Sequence, residues 1–266
     1  MAKKTKYNVS RKSRKERASL KSGSMGSTQE LFLQAQQEHS VGNLTEAERL
    51  YRQILDIDPQ HPESIHYLGV IVYQSGDLET ATSLIEQAID LKKNYAQAYN
   101  NLGNVFFDLK KYDQAEQNHR KSLEINPENP LAHNNLGNAF YWQNRFHEAE
   151  LSYNKTLKIK PNYPEALNNL GNVLLDMRIE SRAKECFIRA LEINSSFIDA
   201  YINLGVLYFE AEQYEEAMKN FHKASHLNPE HPEALYYLGK IYRYKDNFDK
   251  AIKYLEYSIF NNPDFA

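Results

Sequence analysis

Three copies of one pentapeptide set carboxamide side chains at a fixed interval: Asn100-Asn101-Leu102-Gly103-Asn104, Asn134-Asn135-Leu136-Gly137-Asn138 and Asn168-Asn169-Leu170-Gly171-Asn172. A fainter copy, Ile202-Asn203-Leu204-Gly205-Val206, follows at the same 34-residue step. A carboxamide both donates and accepts, so one Asn side chain can meet the C=O and the N–H of a passing peptide together. A ladder of them would hold an extended chain with little demand on that chain's sequence. The alternative use is internal, with the amides satisfying polar groups within and between repeats.

Other reactive residue types are arranged less suggestively. His222 and His226 are four apart on a helical stretch, a spacing seen in metal sites, but no third ligand accompanies them. Cys186 is the one cysteine and has no His near it in sequence. No glycine-rich loop is placed to cradle phosphate, since the ten glycines fall in residues 1–27, at one repeated position or in two early turns. Acid pairs such as Glu215-Glu216 read as solvated charge. No catalytic residue, metal ligand or cofactor is expected in this chain.

The elements that position the amides follow from the repeat. From residue 28 a 34-residue frame runs without insertion: 28–61, 62–95, 96–129, 130–163, 164–197, 198–231 and 232–265. All nine prolines fall at two places in it, the first residue of a block (Pro62, Pro130, Pro164, Pro232) or the thirty-second (Pro59, Pro127, Pro161, Pro229, Pro263). Proline is tolerated at a helix start or beyond an end but not inside. Between prolines, apolar residues recur at three and four, as in Tyr99, Leu102, Phe106 and Leu109, the spacing of amphipathic helices. A break near mid-block carries Gly42, Gly76, Asn144 or Asp246, residues suited to a helix C-terminus. Each block therefore reads as helix, tight turn, helix and link. Glycine at the eighth position (Gly69 to Gly239) and alanine at the twentieth (Ala47 to Ala251) are expected to meet where the two helices cross.

These blocks resemble tetratricopeptide repeats; the fourth matches at Leu136-Gly137, Phe140, Ala149, Tyr153 and Pro161. The resemblance spans 28–265. It implies an all-α fold, a right-handed α-solenoid superhelix of seven helix-turn-helix units. The fifth block departs most, with Ile179-Glu180 at its turn and Ser195 in place of Pro. The run of Asn is similar to the repeat superhelix of O-linked N-acetylglucosamine transferases and their bacterial relatives. The opening block is similar to the first repeat of bacterial glycosyltransferases and sulfotransferases of this type.

In this family the first helices line a concave groove, and positions 2, 5, 6, 9, 12 and 13 face into it. The resemblance singles out position 6, hence Asn101, Asn135, Asn169 and Asn203, beside Asn104, Asn138 and Asn172 at position 9. Phe107, Tyr141, Trp142, Tyr237, Lys240 and Arg243 would supply aromatic contact and charge. An N-terminal zone would hold Phe32, Gln36, His39, His66, Tyr67, Val70 and Tyr73. The clamp that some relatives use for acidic C-termini needs Lys at position 5, where this chain has Phe32, His66, Asn100, Asn134, Asn168, Ile202 and Tyr236.

Charge is divided unevenly within a net −3: residues 1–27 hold nine Lys/Arg against one acid, and the rest 23 against 34. The first 27 residues lack apolar periodicity and are expected to be a disordered basic tail, solubilising before all else. Nucleic-acid contact through it is the weakest of the readings, because the body is acidic; a nuclear-import signal would look the same. A lone cysteine fits a reducing compartment, and no apolar run approaches the ~20 residues of a membrane helix, so a cytoplasmic protein is expected. At the other end, Ile252, Ile259 and Phe260 would stay partly uncovered, implying self-association, a partner or a downstream domain. The leading expectation is a non-enzymatic scaffold binding extended peptide segments. The runner-up is the substrate-recognition region of a glycosyltransferase or sulfotransferase whose catalytic domain is absent from this chain.

Overall fold

The structure, a computed structural model, describes residues 28–262. The expected disordered tail, residues 1–27, lies outside the described residues. The chain divides into two compact units, Met1–Leu109 and Lys110–Ala266. Among the described residues of the first unit the elements are α1 (28–40), α2 (Leu44–Ile57), α3 (Pro62–Gln74), α4 (Leu78–Leu91) and α5 (Ala96–Asp108). The second unit holds α6 (Tyr112–Ile125), α7 (Pro130–Trp142), α8 (Phe146–Ile159), α9 (Pro164–Asp176) and α10 (Glu180–Ile193). It continues through α11 (Ile198–Glu210), α12 (Tyr214–Leu227), α13 (Pro232–Tyr244) and α14 (Phe248–Asn261). The described residues contain no strand, and each unit is an all-α helical repeat of stacked helix pairs.

Local chemistry starts and stops these helices where the pattern requires. Pro62, Pro130, Pro164 and Pro232 occupy the first turns of α3, α7, α9 and α13, where a missing N–H costs nothing. Asp77 caps α4 by accepting from Thr80 N at 3.0 Å, and Asn247 caps α14 through Lys250 N at 3.2 Å. Each pair turns through one left-handed residue at the fifteenth position: Gly42, Gly76, Lys110, Asn144, Arg178, Glu212 and Asp246 all have φ between 56° and 90°. The following N–H reaches back five residues along the helix, as in Arg145 N to Phe140 O at 2.9 Å and Ile179 N to Leu174 O at 2.8 Å, which satisfies carbonyls the helix end would leave open. The fifth block, aberrant in sequence, thus turns like the rest. Arg178 and Glu212 carry no turn signature of their own and are held left-handed by that shared bond pattern, Ile179 N to Leu174 O and Gln213 N to Tyr208 O.

Packing within a pair corrects one expectation. The closest neighbour of Gly69, Gly137, Gly171, Gly205 and Gly239 is the side chain at position 24, not the alanine at 20. A Cβ on Gly137 would lie 2.6 Å from the Tyr153 ring, and one on Gly205 2.7 Å from Phe221. A Cβ on Gly171 would overlap Phe187. Ala81 and Ala251 enter only through their carbonyl oxygens, beside Gly69 and Gly239. The glycine makes room for a large buried group, and alanine at 20, buried throughout, lets the second helix come near enough to deliver it. In the second unit one core gathers Leu136, Phe140, Tyr153, Leu170, Leu174 and Phe187; another gathers Ile202, Phe221, Leu238 and Ile241. The first unit centres on Leu50, Tyr51, Ile54, Leu68 and Ile71.

Candidate functional site

In the second unit the first helices of successive pairs are stitched together by the repeated amides. Asn169 Nδ2 donates to Asn138 Oδ1 at 3.1 Å and reaches Asn134 Oδ1 at 3.4 Å. Asn203 Nδ2 donates to Asn168 Oδ1 at 2.9 Å. Tyr153 from the paired helix also donates to Asn138 Oδ1, at 2.6 Å. The position-5 residues, expected to face the groove, are buried: Asn100, Asn134, Asn168, Ile202 and His66 are all at most 6% exposed. Three of them, His66, Asn134 and Asn168, anchor the position-6 amide of the next pair. Asn101, Asn104, Asn135, Asn138, Asn169, Asn172 and Asn203 are half-buried. Asn168, Asn169 and Asn172 of α9, Ile202, Asn203 and Asp199 of α11, and His231 with Glu233 beside and on α13 line a cavity of about 310 Å³.

Three aromatic candidates divide between two places. Tyr141 is half-buried, bonds to Asp176, and is packed edge-on against Trp142 with ring centroids 6.1 Å apart. Burial and that carboxylate push its hydroxyl up to about 12. Trp142 is 57% exposed and stacks on Tyr112 at 6.0 Å. It lines a separate cleft with Lys110, Lys111 and Gln143, to which no ladder Asn contributes. Tyr237 stacks on Phe221 at 4.9 Å. Lys240 Nζ sits 5.0 Å from the Phe209 ring centre and 5.1 Å from that of Tyr236, a cation on aromatic faces. Arg243 is exposed, its guanidinium over Tyr244.

The first unit uses the same register otherwise. Asn101 Nδ2 donates to His66 Nε2 at 2.9 Å, so the imidazole is neutral with its hydrogen on Nδ1, which donates to the Tyr95 hydroxyl oxygen at 2.9 Å. Burial pushes His66 down to about 4. Its neighbours are closed as well: Glu63 pairs with Lys92 at 2.6 Å, and Tyr67 stacks on Tyr51 at 5.4 Å. Asn104 and Phe107 are half-buried on α5.

Family models for tetratricopeptide repeats match residues 96–129, 164–197, 198–231 and 232–265, and further repeat models match 69–110 and 137–177. The chain belongs to the tetratricopeptide repeat (TPR) family. Solved TPR-like folds agree with it. A structure described as the functional characterisation of Pseudomonas aeruginosa pilF superposes with a TM-score of 0.69 at 22% identity, over 76% of this chain and 92% of that one. YrrB, described as a TPR protein with an unusual peptide-binding site, gives 0.52 at 26% identity, over 68% and 93%. The Cut9–Hcn1 hetero-tetramer gives 0.75 at 16%, over 86% of this chain but 46% of that one. None of the curated protein sequences is a significant match.

The remaining candidates fall away from chemistry. Cys186 is half-buried, and burial pushes its thiol up to about 11, opposite to the shift that makes a nucleophile. His222 is exposed and stands edge-on to Tyr254, and no group of three His, Cys, Asp or Glu among the described residues is arranged to hold a metal ion. No described helix is long and apolar enough to cross a membrane. Sequence reasoning missed Asp199, His231 and Glu233. Asp199 and Glu233 occupy position 2 of their blocks, a groove-facing position, so the signal was available; the dominance of Asn in the motif masked it.

Proposed function

We propose that this chain is a non-enzymatic protein-interaction scaffold of seven TPR units over 28–265, and that its second unit binds extended peptide segments. The observation that carries this reading is the use made of Asn169 and Asn203. Each commits an amide hydrogen to the preceding first helix, at 3.1 Å and 2.9 Å, and each lines the cavity. These bonds fix the plane of each carboxamide, while both side-chain oxygens and the second amide hydrogen of Asn203 have no hydrogen-bond partner among the described residues. A pre-oriented amide loses little entropy on binding; each offers an acceptor to a peptide main chain, and Asn203 a donor as well. The YrrB structure, by its description, shows that a protein of this fold carries a peptide-binding site.

The test compares wild-type protein with an Asn135→Ala/Asn169→Ala/Asn203→Ala variant on an array of unstructured peptides, with circular dichroism to confirm that both are folded. Loss of most bound spots in the variant supports the ladder. An unchanged binding pattern overturns it.

A further inference from the structure

The cavity on α9, α11 and α13 carries a charge arrangement that the amides do not explain. Asp199 and Glu233 line it together with Asn168, Asn169, Asn172 and Asn203. Acids in the first turn of a helix are favoured by its dipole, and that alone accounts for Glu63 and Glu165 at the same position of α3 and α9. Glu63, however, is neutralised by Lys92 at 2.6 Å. Neither Asp199 nor Glu233 has an ion-pair partner among the described cations. At the register where Lys92 stands in its block, the block of Asp199 has Asn228. Glu233 is half-buried beside Asp199. Burial above all raises its carboxyl above the ordinary range; His231 opposes this, and the neighbouring Asp199 carboxylate adds a smaller push in the same direction as burial. Asp199 itself is exposed at the rim of the cavity. A carboxylate partly removed from water next to a second negative charge is disfavoured, and a cation entering the site relieves that penalty.

We propose, building on the peptide-binding reading above, that this cavity is a subsite for a lysine or arginine side chain of the bound segment, so that the second unit selects basic extended peptides. Asn169 and Asn203 hold the main chain on either side of the cavity. The ammonium or guanidinium of the residue between them enters toward Asp199 and Glu233 and donates to both carboxylates. Its aliphatic stem lies against Ile202, as long basic side chains do when the charged end is paired. The −11 balance of residues 28–266 draws such a segment toward the body at long range, but the cavity gives it a fixed seat.

The experiment uses the full chain and two labelled Ser/Ala host peptides that differ only by a central Arg or Ala, with binding read by NMR shift titration and fluorescence anisotropy. The Arg peptide is expected to bind about tenfold tighter, the scale of one charge-assisted hydrogen-bonded pair. Asp199→Asn/Glu233→Gln should remove that difference and leave the Ala peptide unchanged. The charge-matched control Glu185→Gln/Glu192→Gln, on the exposed face of α10, should keep it. Equal loss in the control, or a tenfold preference that survives in the cavity variant, overturns the subsite. Ala and Arg peptides bound equally by wild-type protein, and both weakened by Asn169→Ala/Asn203→Ala, overturn the basic subsite while the ladder stands. Failure of wild-type protein to bind either peptide sinks both.

Discussion

The fifth residue of the first helix does opposite things in the two units. In α3 it is His66, whose two ring nitrogens are both engaged, one by Asn101 and one by Tyr95. In α9 it is Asn168, which engages Asn203 through one oxygen. An imidazole between two partners completes a closed network, and the adjacent Glu63–Lys92 pair closes the charge too. A carboxamide pair leaves half its capacity unspent and sits beside unmatched carboxylates. One frame thus yields a self-satisfied network in the first unit and one with unspent hydrogen-bonding capacity in the second.

The largest effect tests what the units share. Gly69→Leu and Gly137→Leu should each destabilise by about 3–4 kcal/mol, because the new side chain enters the space of Ile85 or Tyr153. An unchanged midpoint of urea or thermal unfolding in either would break the packing argument for that unit. Next comes acid. His66 is neutral and pushed down to about 4 when folded, against 6.5 in the unfolded chain. The unfolded state therefore binds the proton first. The stability the neutral form confers is whole above pH 6.5 and is lost as pH falls toward 4, by about 2–3 kcal/mol. Replacing it with the residue that the second unit uses, His66→Asn, should flatten that slope by the same amount in unfolding titrations. Buried His119, pushed down to about 3, keeps a residual slope.

The amides sharpen the contrast at smaller scale. Asn101→Ala should cost about 1–2 kcal/mol, because it strands a buried imidazole nitrogen, with no change in peptide affinity. Asn203→Ala should cost about 1 kcal/mol or less of stability and lower peptide affinity roughly tenfold. Reversal of that ranking in calorimetry would erase the distinction between the units. The smallest effect concerns the turns. Glu212 stands at φ 57°, so Glu212→Gly should stabilise by about 0.5 kcal/mol, the left-handed strain of an L-residue less the added freedom of glycine in the unfolded chain.

The repeat frame made the helices legible, because proline and glycine restrict backbone geometry wherever they stand, and Pro130 or Gly76 announces a boundary without reference to its surroundings. Arg178 and Glu212 were not legible as turn residues, since only the bonds across the turn force them left-handed. The position-6 amides were visible from spacing alone. Their partners were not: whether Asn169 meets Asn138 or His66 meets Tyr95 depends on how far one helix is offset from the next, a distance that 34-residue periodicity does not encode. Burial of position 5 has the same cause. The helices approach closely enough to cover that residue, and a helical wheel drawn for one element shows nothing of its neighbour. Asp199 and Glu233 gain meaning only from the absence of a lysine that Glu63 enjoys, a difference between repeats rather than a feature of any one.

The sole tryptophan is placed to report on one of these units by itself. Trp142 is 57% exposed and stacked on Tyr112 in the second unit, whereas the first unit contains tyrosine and phenylalanine but no indole. Red-edge excited fluorescence of the whole chain therefore arises from a single wet turn, with emission near that of free indole and ready access to quenchers. Any shift of that emission on adding peptide or denaturant follows events at the second unit, while the far-ultraviolet signal follows both, so the two spectra separate the units without a label.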